Sequence, residues 1–94
     1  MSEIGRELHL TLQAALREAV VRRNPYLTVE HLLYALAHDQ RGEEILLHAG
    51  AHVPALKAAL EKFLADDLER VPGEEPVETR QTLAFHRVLQ HAIA

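Results

Sequence analysis

The sequence contains no cysteine and no tryptophan, and its aromatic residues are only two phenylalanines and two tyrosines among 94 positions. Without cysteine the chain can form no disulfide, no thiolate nucleophile and no cysteine-ligated zinc site, and a reducing cytoplasm is the expected compartment. Because aromatic mass is so scarce, leucine and alanine must fill the interior, and both residues favour helices. These absences predict a small all-α protein with one modest core.

Other absences restrict the function. No stretch is basic enough to follow a phosphate backbone, and the formal charge is −4, so nucleic-acid binding is not expected. No apolar run approaches the roughly 18 residues that cross a bilayer, and residues 1–6 are too polar for a signal peptide, so we expect no membrane contact and a native start. Ser2 is the only serine, and the chain lacks a phosphate-binding loop, so neither catalysis nor nucleotide binding is expected.

Apolar residues do recur at helical spacing, and the first two segments are well delimited. The first begins at Ile4 and is expected to end near Arg23, since Pro25 disfavours helical geometry at the residue before it. Thr28 can cap a second helix, which is expected to reach about His38. The first part of the chain therefore reads as two helices joined by a turn.

Two further helices are predicted before residue 68. Gly42 is expected to precede a short third helix, and Gly50 stands where a left-handed residue usually closes one. Pro54 suits the first position of a fourth helix, whose apolar residues continue to the region of Asp67. Residues 69–81 then contain prolines, a glycine and several acids, a composition typical of a weakly ordered linker.

A fifth helix is expected from Thr82, a suitable N-cap, to the last residue, Ala94. No Gly, Asn or basic residue follows its apolar positions to end the helix, so the chain is expected to stop within this helix. Residues 10–20 can be laid on residues 83–93 with six apolar positions coinciding. An internal repeat and the general periodicity of amphipathic helices explain this equally well.

Two segments resemble signatures of a known family. Residues 28–36 read T-V-E-H-L-L-Y-A-L and resemble the T-x-E-H-L-L-x-A-L signature of the Clp amino-terminal (Clp R) domain. Residues 82–93 read T-L-A-F-H-R-V-L-Q-H-A-I and resemble the F-x-R-V-L-Q-x-A stretch typical of ClpA-type subunits rather than of the ClpB disaggregase. The chain is therefore identified as a Clp R domain closest to the ClpA type.

The resemblance implies an all-α bundle of about five helices that is a truncated, pseudo-symmetric double repeat. Residues 1–68 would form the first four-helix repeat, residues 69–81 the linker, and residues 82–94 the first helix of an incomplete second repeat. A helix without its usual partners leaves an apolar face exposed, and such faces commonly bind another chain. We therefore expect self-association, or packing of the last helix onto the first repeat.

The resemblance also implies a function. The chain would be a non-catalytic domain without cofactor that receives protein substrates and docks a ClpS-type adaptor. In the full-length protein it would be joined to an AAA+ hexamer that feeds a ClpP-type peptidase. In ClpA-like relatives the residues matching Glu30, Thr82 and Arg87 lie at the adaptor face, and in ClpC-like relatives the acid matching Glu30 receives phosphoarginine-marked substrates. Asn24 and Pro25 depart from the family pattern, which often has a His-Glu pair there, so one adaptor-contacting acid is missing.

Each candidate residue also has a purely structural interpretation. Glu30 can serve as a helix-dipole carboxylate, worth about 0.3–1 kcal/mol, Thr82 as a cap and Arg87 as a solvated charge. A free-standing helical dimerisation or regulatory protein is the alternative function.

The seven histidines raise the question of a metal site. Gly50 separates His48 from His52, and the five-residue spacing of His86 and His91 places them on different helical faces, so no metal site is expected. His31 is expected to pack at the start of the second helix.

Overall fold

The computed structural model describes residues 3–93, and the side chains of residues 5–91. Within this part of the chain five helices follow one another: α1 (Glu3–Val21), α2 (Val29–Ala37), α3 (Gln40–His48), α4 (Val53–Asp66) and α5 (Leu83–Ile93). The predicted all-α fold of about five helices is confirmed. The expected start at Met1, the expected stop at Ala94, and the side chains of Ile4, Ala92 and Ile93 lie outside the described residues.

Helix α1 ends close to the predicted residue, through a Schellman motif. The Arg23 backbone N–H donates to the Val20 carbonyl at 3.0 Å, and the Asn24 N–H donates to the Ala19 carbonyl at 2.9 Å. Arg23 adopts a φ of 58°, where glycine is the usual residue because it has no Cβ to clash. Pro25 then follows as the helix-breaking residue that the sequence indicated.

The start of α2 confirms Thr28 as an N-cap. The Thr28 side chain accepts the His31 backbone N–H, and the His31 side chain accepts the Thr28 backbone N–H, which forms a reciprocal capping box. Glu30 lies in the first turn of the same helix.

The prediction that Gly42 precedes the third helix is wrong. Helix α3 begins at Gln40, and Asp39 is its N-cap, accepting the Gly42 backbone N–H at 2.9 Å. A Cβ at Gly42 would lie 2.9 Å from the Leu36 carbonyl carbon, so glycine permits α3 to approach the end of α2. Gly50, with a φ of 91°, closes α3 as predicted.

Helix α2 is the central element, and α1, α3, α4 and α5 all pack against it. The main core cluster joins α1, the short segment that precedes α2, and α5. Its buried members are Ala15, Ala19, Leu27 and Phe85. Phe85 is 1% exposed, and burying such a side chain stabilises by about 1.5–3 kcal/mol. Phe85 therefore secures α5 to the rest of the fold. The division of these helices into two repeats stays a prediction.

Two strands that the sequence did not indicate join distant segments. Strand β1 (Tyr26–Leu27) precedes α2, strand β2 (Arg80–Gln81) precedes α5, and the two pair in parallel. The linker before β2 is also held, because the Val71 backbone N–H donates to the Arg23 carbonyl at 2.8 Å. The linker is therefore ordered at both ends, where its composition predicted only weak order.

Candidate docking face

The strand pair places the starts of α2 and α5 side by side. Its register matches Leu27 with Gln81, and the next residue in each segment is a threonine. The Thr82 backbone N–H donates to the Leu27 carbonyl at 3.0 Å, which extends the pairing up to the two helices. Residues 28–30 and 82–84 form these two starts, called here the paired helix starts.

Thr82 lies at this junction and acts as a cap. Its side-chain oxygen accepts the Phe85 backbone N–H at 3.1 Å, and the residue is half-buried. The structural interpretation of Thr82 therefore agrees with the geometry. A partly accessible hydroxyl at the junction can still bond to an approaching group.

Glu30 lies on the neighbouring start, in the first turn of α2, and is half-buried. Among the described residues it forms no ion pair. The amino-terminal end of a helix favours a carboxylate at this position. The Glu30 carboxylate is thus stabilised by its own helix and remains able to receive a cation from a partner.

Arg87 does not converge with these two residues. It is exposed, whereas Phe85, two positions earlier, is buried against the core. Two residues correspond to about 200° of rotation around a helix, so Arg87 projects from the outer side of α5. A partner that contacts Glu30, Thr82 and Arg87 together must extend over the first two turns of α5.

Two apolar residues at this edge were missed by the sequence analysis. Tyr26 in β1 is 51% exposed, and Leu83 at the start of α5 is 65% exposed. Alternation along β1 directs Leu27 into the core and leaves Tyr26 on the surface. The edge therefore carries apolar area as well as polar groups.

Beneath the paired helix starts lies a buried polar network. His31 is 0% exposed and Asn24 is 1% exposed. The His31 Nδ1 atom accepts the Thr28 backbone N–H at 3.0 Å, and its Nε2 atom lies 2.9 Å from the Asn24 Oδ1 atom. Since a backbone N–H can only donate, Nδ1 is the acceptor, and Nε2 carries the proton and donates to Asn24.

The network continues into the linker, because the Asn24 Nδ2 atom donates to the Glu69 carbonyl at 2.9 Å. Burial lowers the pKa of His31, and the nearby Arg22 guanidinium lowers it further, against weaker opposing effects of Glu18 and Glu30. His31 is therefore held neutral. The three-residue spacing of Thr28 and His31 was the available signal, although Glu or Gln is the usual partner in a capping box.

A separate polar cluster ties α1, α2 and α4 together. The Arg22 guanidinium forms ion pairs of 2.7 Å with Glu18 and with Glu61, and it lies 5.3 Å from the ring centroid of Tyr34. A cation–π contact together with charge-assisted hydrogen bonds to two carboxylates fixes the orientation of the guanidinium. The cluster explains how the end of α1 is held against α4.

Within residues 3–93, no group of three or more His, Cys, Asp or Glu residues is arranged to hold a metal ion. None of the helices in this part of the chain has the length and apolar character that crossing a membrane requires.

Comparison with known proteins identifies a family and a relative. The Clp repeat (R) N-terminal domain family matches residues 4–94. The protein described as "ClpA homolog protein" from Fuscovulum blasticum is 36% identical over 86 residues. That similarity covers 90% of this chain but only 11% of the relative's length. The chain therefore belongs to the Clp repeat (R) N-terminal domain family, whose members are non-catalytic helical domains of Clp proteins.

Proposed function

We propose that this domain receives protein substrates and docks a ClpS-type adaptor on behalf of a cytoplasmic Clp AAA+ unfoldase that feeds a ClpP-type peptidase. The observation that carries the proposal is the parallel pairing of β1 with β2, since it brings Glu30 and Thr82 onto adjoining helix starts. The similarity to a protein described as a ClpA homolog supports the same assignment.

The chemistry of the face suits a reversible protein contact. Glu30 offers a carboxylate, Thr82 a hydroxyl and Arg87 an exposed guanidinium, which can form a bidentate pair with a partner's carboxylate. Tyr26 in β1 and Leu83 at the start of α5 add exposed apolar area. Interfaces commonly have an apolar centre and a polar rim, and tyrosine is among the residues that contribute most to binding.

Modest affinity is sufficient for such a domain. A module joined to its ring by a short flexible tether keeps bound cargo at a millimolar-range effective concentration near the pore. Rapid release then favours transfer of the cargo over retention.

The proposal is tested by titrating a fluorescently labelled ClpS-type adaptor into the chain and into Glu30→Gln and Arg87→Gln variants with helicity checked by circular dichroism. Glu44→Gln on α3 and Arg70→Gln in the linker are matched controls, since they remove the same charges at exposed positions. We expect each site variant to weaken binding about tenfold, or about 1.4 kcal/mol, and the controls to bind like the parent chain.

Equal binding by the parent and both site variants would contradict the assigned face. If the folded parent does not bind while a longer chain with the second repeat does, residues 1–94 are a structural fragment and the site needs the other half.

A second candidate function, a helical dimerisation module, is favoured by exposed apolar side chains on α1 and α5. Leu16, Val20 and Val88 are 42%, 45% and 41% exposed. Sedimentation velocity should detect self-association that Val88→Glu abolishes. Leu47→Glu on α3, where the side chain is 54% exposed, is the control and should leave the association unchanged.

A further inference from the structure

The linker and the start of α5 are hydrogen-bonded to the segment of residues 23–28. Three backbone N–H groups from residues 71–82 donate to carbonyl groups of this segment. They are Val71 to Arg23 at 2.8 Å, Arg80 to Pro25 at 3.0 Å, and Thr82 to Leu27 at 3.0 Å. The segment has no regular structure beyond β1, so its shape depends on side-chain contacts.

The Arg23 guanidinium supplies one set of these contacts, donating to the Val71 carbonyl at 2.8 Å and to the Pro72 carbonyl at 3.4 Å. The other contacts converge on His31. Its ring bonds to the backbone of Thr28 at one end of the segment and to the side chain of Asn24 at the other. Asn24 in turn binds the linker twice, since its side-chain Nδ2 atom donates to the Glu69 carbonyl at 2.9 Å and its backbone carbonyl accepts the Thr79 hydroxyl at 3.0 Å. One buried imidazole therefore connects the start of α2 to both ends of the linker.

This arrangement requires the neutral imidazole. A protonated ring carries N–H groups on both nitrogens, so Nδ1 can no longer accept the Thr28 backbone N–H. The Thr28 Oγ1 atom, 2.8 Å from Nδ1, could accept the new N–H, but the Thr28 backbone N–H would then be buried without an acceptor. Protonation also creates a charge at a side chain that is 0% exposed, which is costly without a partner.

The charged groups around His31 give that charge little compensation. Glu18 of α1 and Glu30 of α2 favour the protonated form, but Arg22, which follows α1, opposes it, as does burial itself. From the linker, Glu69 presents its carbonyl oxygen to Asn24, while the residue is exposed. The Nε2–H bond to Asn24 is present in both protonation states, so protonation removes only the Nδ1 bond to the Thr28 N–H and leaves a buried charge. That charge is relieved only if the segment around the ring opens to water, and the linker bonds to this segment would open with it.

We propose that His31 is a protonation switch that, when neutral, holds residues 69–82 against residues 23–28 and, when protonated, releases them. The switch is a property of the fold and does not rest on adaptor docking.

The test is amide hydrogen exchange of the full chain, followed by NMR from about pH 7.5 to about pH 5 and corrected for the intrinsic effect of pH on exchange. The amides of Val71, Arg80 and Thr82 are the reporters, and those of Gly50 and Ala51, which close α3, are controls. We expect protection of the reporters to fall at least about tenfold as His31 becomes protonated, and protection of the controls to change less.

Two variants separate the switch from general acid sensitivity. His31→Gln keeps an acceptor for the Thr28 N–H and an amide donor for Asn24 but does not titrate, so its reporters should keep their protection at low pH. His52→Asn removes an exposed histidine that caps α4 through the Ala55 N–H. Its reporters should follow those of the parent chain.

If His31→Gln fails to fold, the proposal can still be tested on the parent chain alone. The ring nitrogen resonances of His31 report its protonation directly. If the reporter amides lose protection at the same pH at which the ring titrates, the proposal is supported. If the reporters remain protected after the ring is protonated, or open at a different pH, the proposal is overturned.

Discussion

The starts of α2 and α5 are built on the same plan but secured by different chemistry. Each follows a two-residue strand, each is capped by a threonine, and in each the third residue after the cap is buried. That residue is His31 in α2 and Phe85 in α5, with exposures of 0% and 1%. The start of α2 thus depends on directional hydrogen bonds and on the protonation state of a ring. The start of α5 depends on apolar burial, which needs only a good fit.

The largest loss of stability is expected on substitution of Phe85, the buried apolar residue at the start of α5. Phe85→Ala should lower the free energy of unfolding by about 3–5 kcal/mol, since it removes a buried aromatic ring and leaves a cavity. Urea denaturation and exchange of the α5 amides measure the loss. Val88→Ala on the same helix, where the side chain is 41% exposed, is the control. An equal loss in both variants would show that Phe85 does not secure α5.

The next largest loss of stability is expected when His31 at the start of α2 is replaced by phenylalanine, the residue at the equivalent position of α5. His31→Phe should cost about 1–3 kcal/mol for each buried polar group that it leaves without a partner, namely the Thr28 N–H and the Asn24 carboxamide oxygen. Urea denaturation at neutral pH gives the value. A stability equal to that of the parent chain would mean that the two starts are interchangeable and that the hydrogen bonds of His31 contribute nothing net.

A smaller effect should be a pH dependence of stability that arises from His31 at the start of α2 and has no counterpart at Phe85. Because the folded-state pKa of His31 is lowered, the unfolded chain binds more protons in acid. The contribution of His31 to stability is therefore complete above the unfolded pKa of about 6.5, and it is lost as the pH falls toward the lower folded value. Denaturation midpoints of the parent chain should decrease over this range, and those of His31→Phe should change less. Parallel curves for the two chains would contradict this account.

The smallest effect is expected at the threonine cap of α5. Thr82→Ala should cost about 0.5–1 kcal/mol, because it removes one side-chain bond to the Phe85 N–H at the end of a helix. Thr28→Ala should cost more, since the Thr28 hydroxyl is buried and also contacts the His31 ring. Thermal unfolding of both variants measures the two losses of stability. A larger loss in Thr82→Ala than in Thr28→Ala would contradict this prediction.

These two starts also show how much of the fold can be read from the sequence. Apolar periodicity and the residues Thr28 and Gly50 located most helix boundaries, because capping and periodicity are local properties. Gly42 was misplaced because its role, close approach to Leu36, is a tertiary contact. The strands were not foreseen, since two residues are too few to give a recognisable alternation.

The candidate site was only partly predictable, for the same reason. Glu30 and Thr82 were identified by family resemblance, but their adjacency depends on the strand pair. The outward position of Arg87 follows from its spacing to Phe85, once Phe85 is known to be buried. Asn24 was noted only as a departure from the family pattern. Its bond to His31 depends on the turn between α1 and α2, and its bond to Glu69 joins residues 45 positions apart.

The pairing of β1 with β2 also affects the order in which parts of the domain can fold. The two strands are separated in the chain by three complete helices, so bringing them together closes a long loop and carries an entropic cost that local helix formation does not. Helices α1 to α4 can form and pack before this loop closes, whereas β1 gains its partner only when the segment after α4 has been synthesised and has returned. During synthesis on the ribosome, the emerging chain therefore presents Glu30 without Thr82, and the paired helix starts are not assembled until the two strands meet.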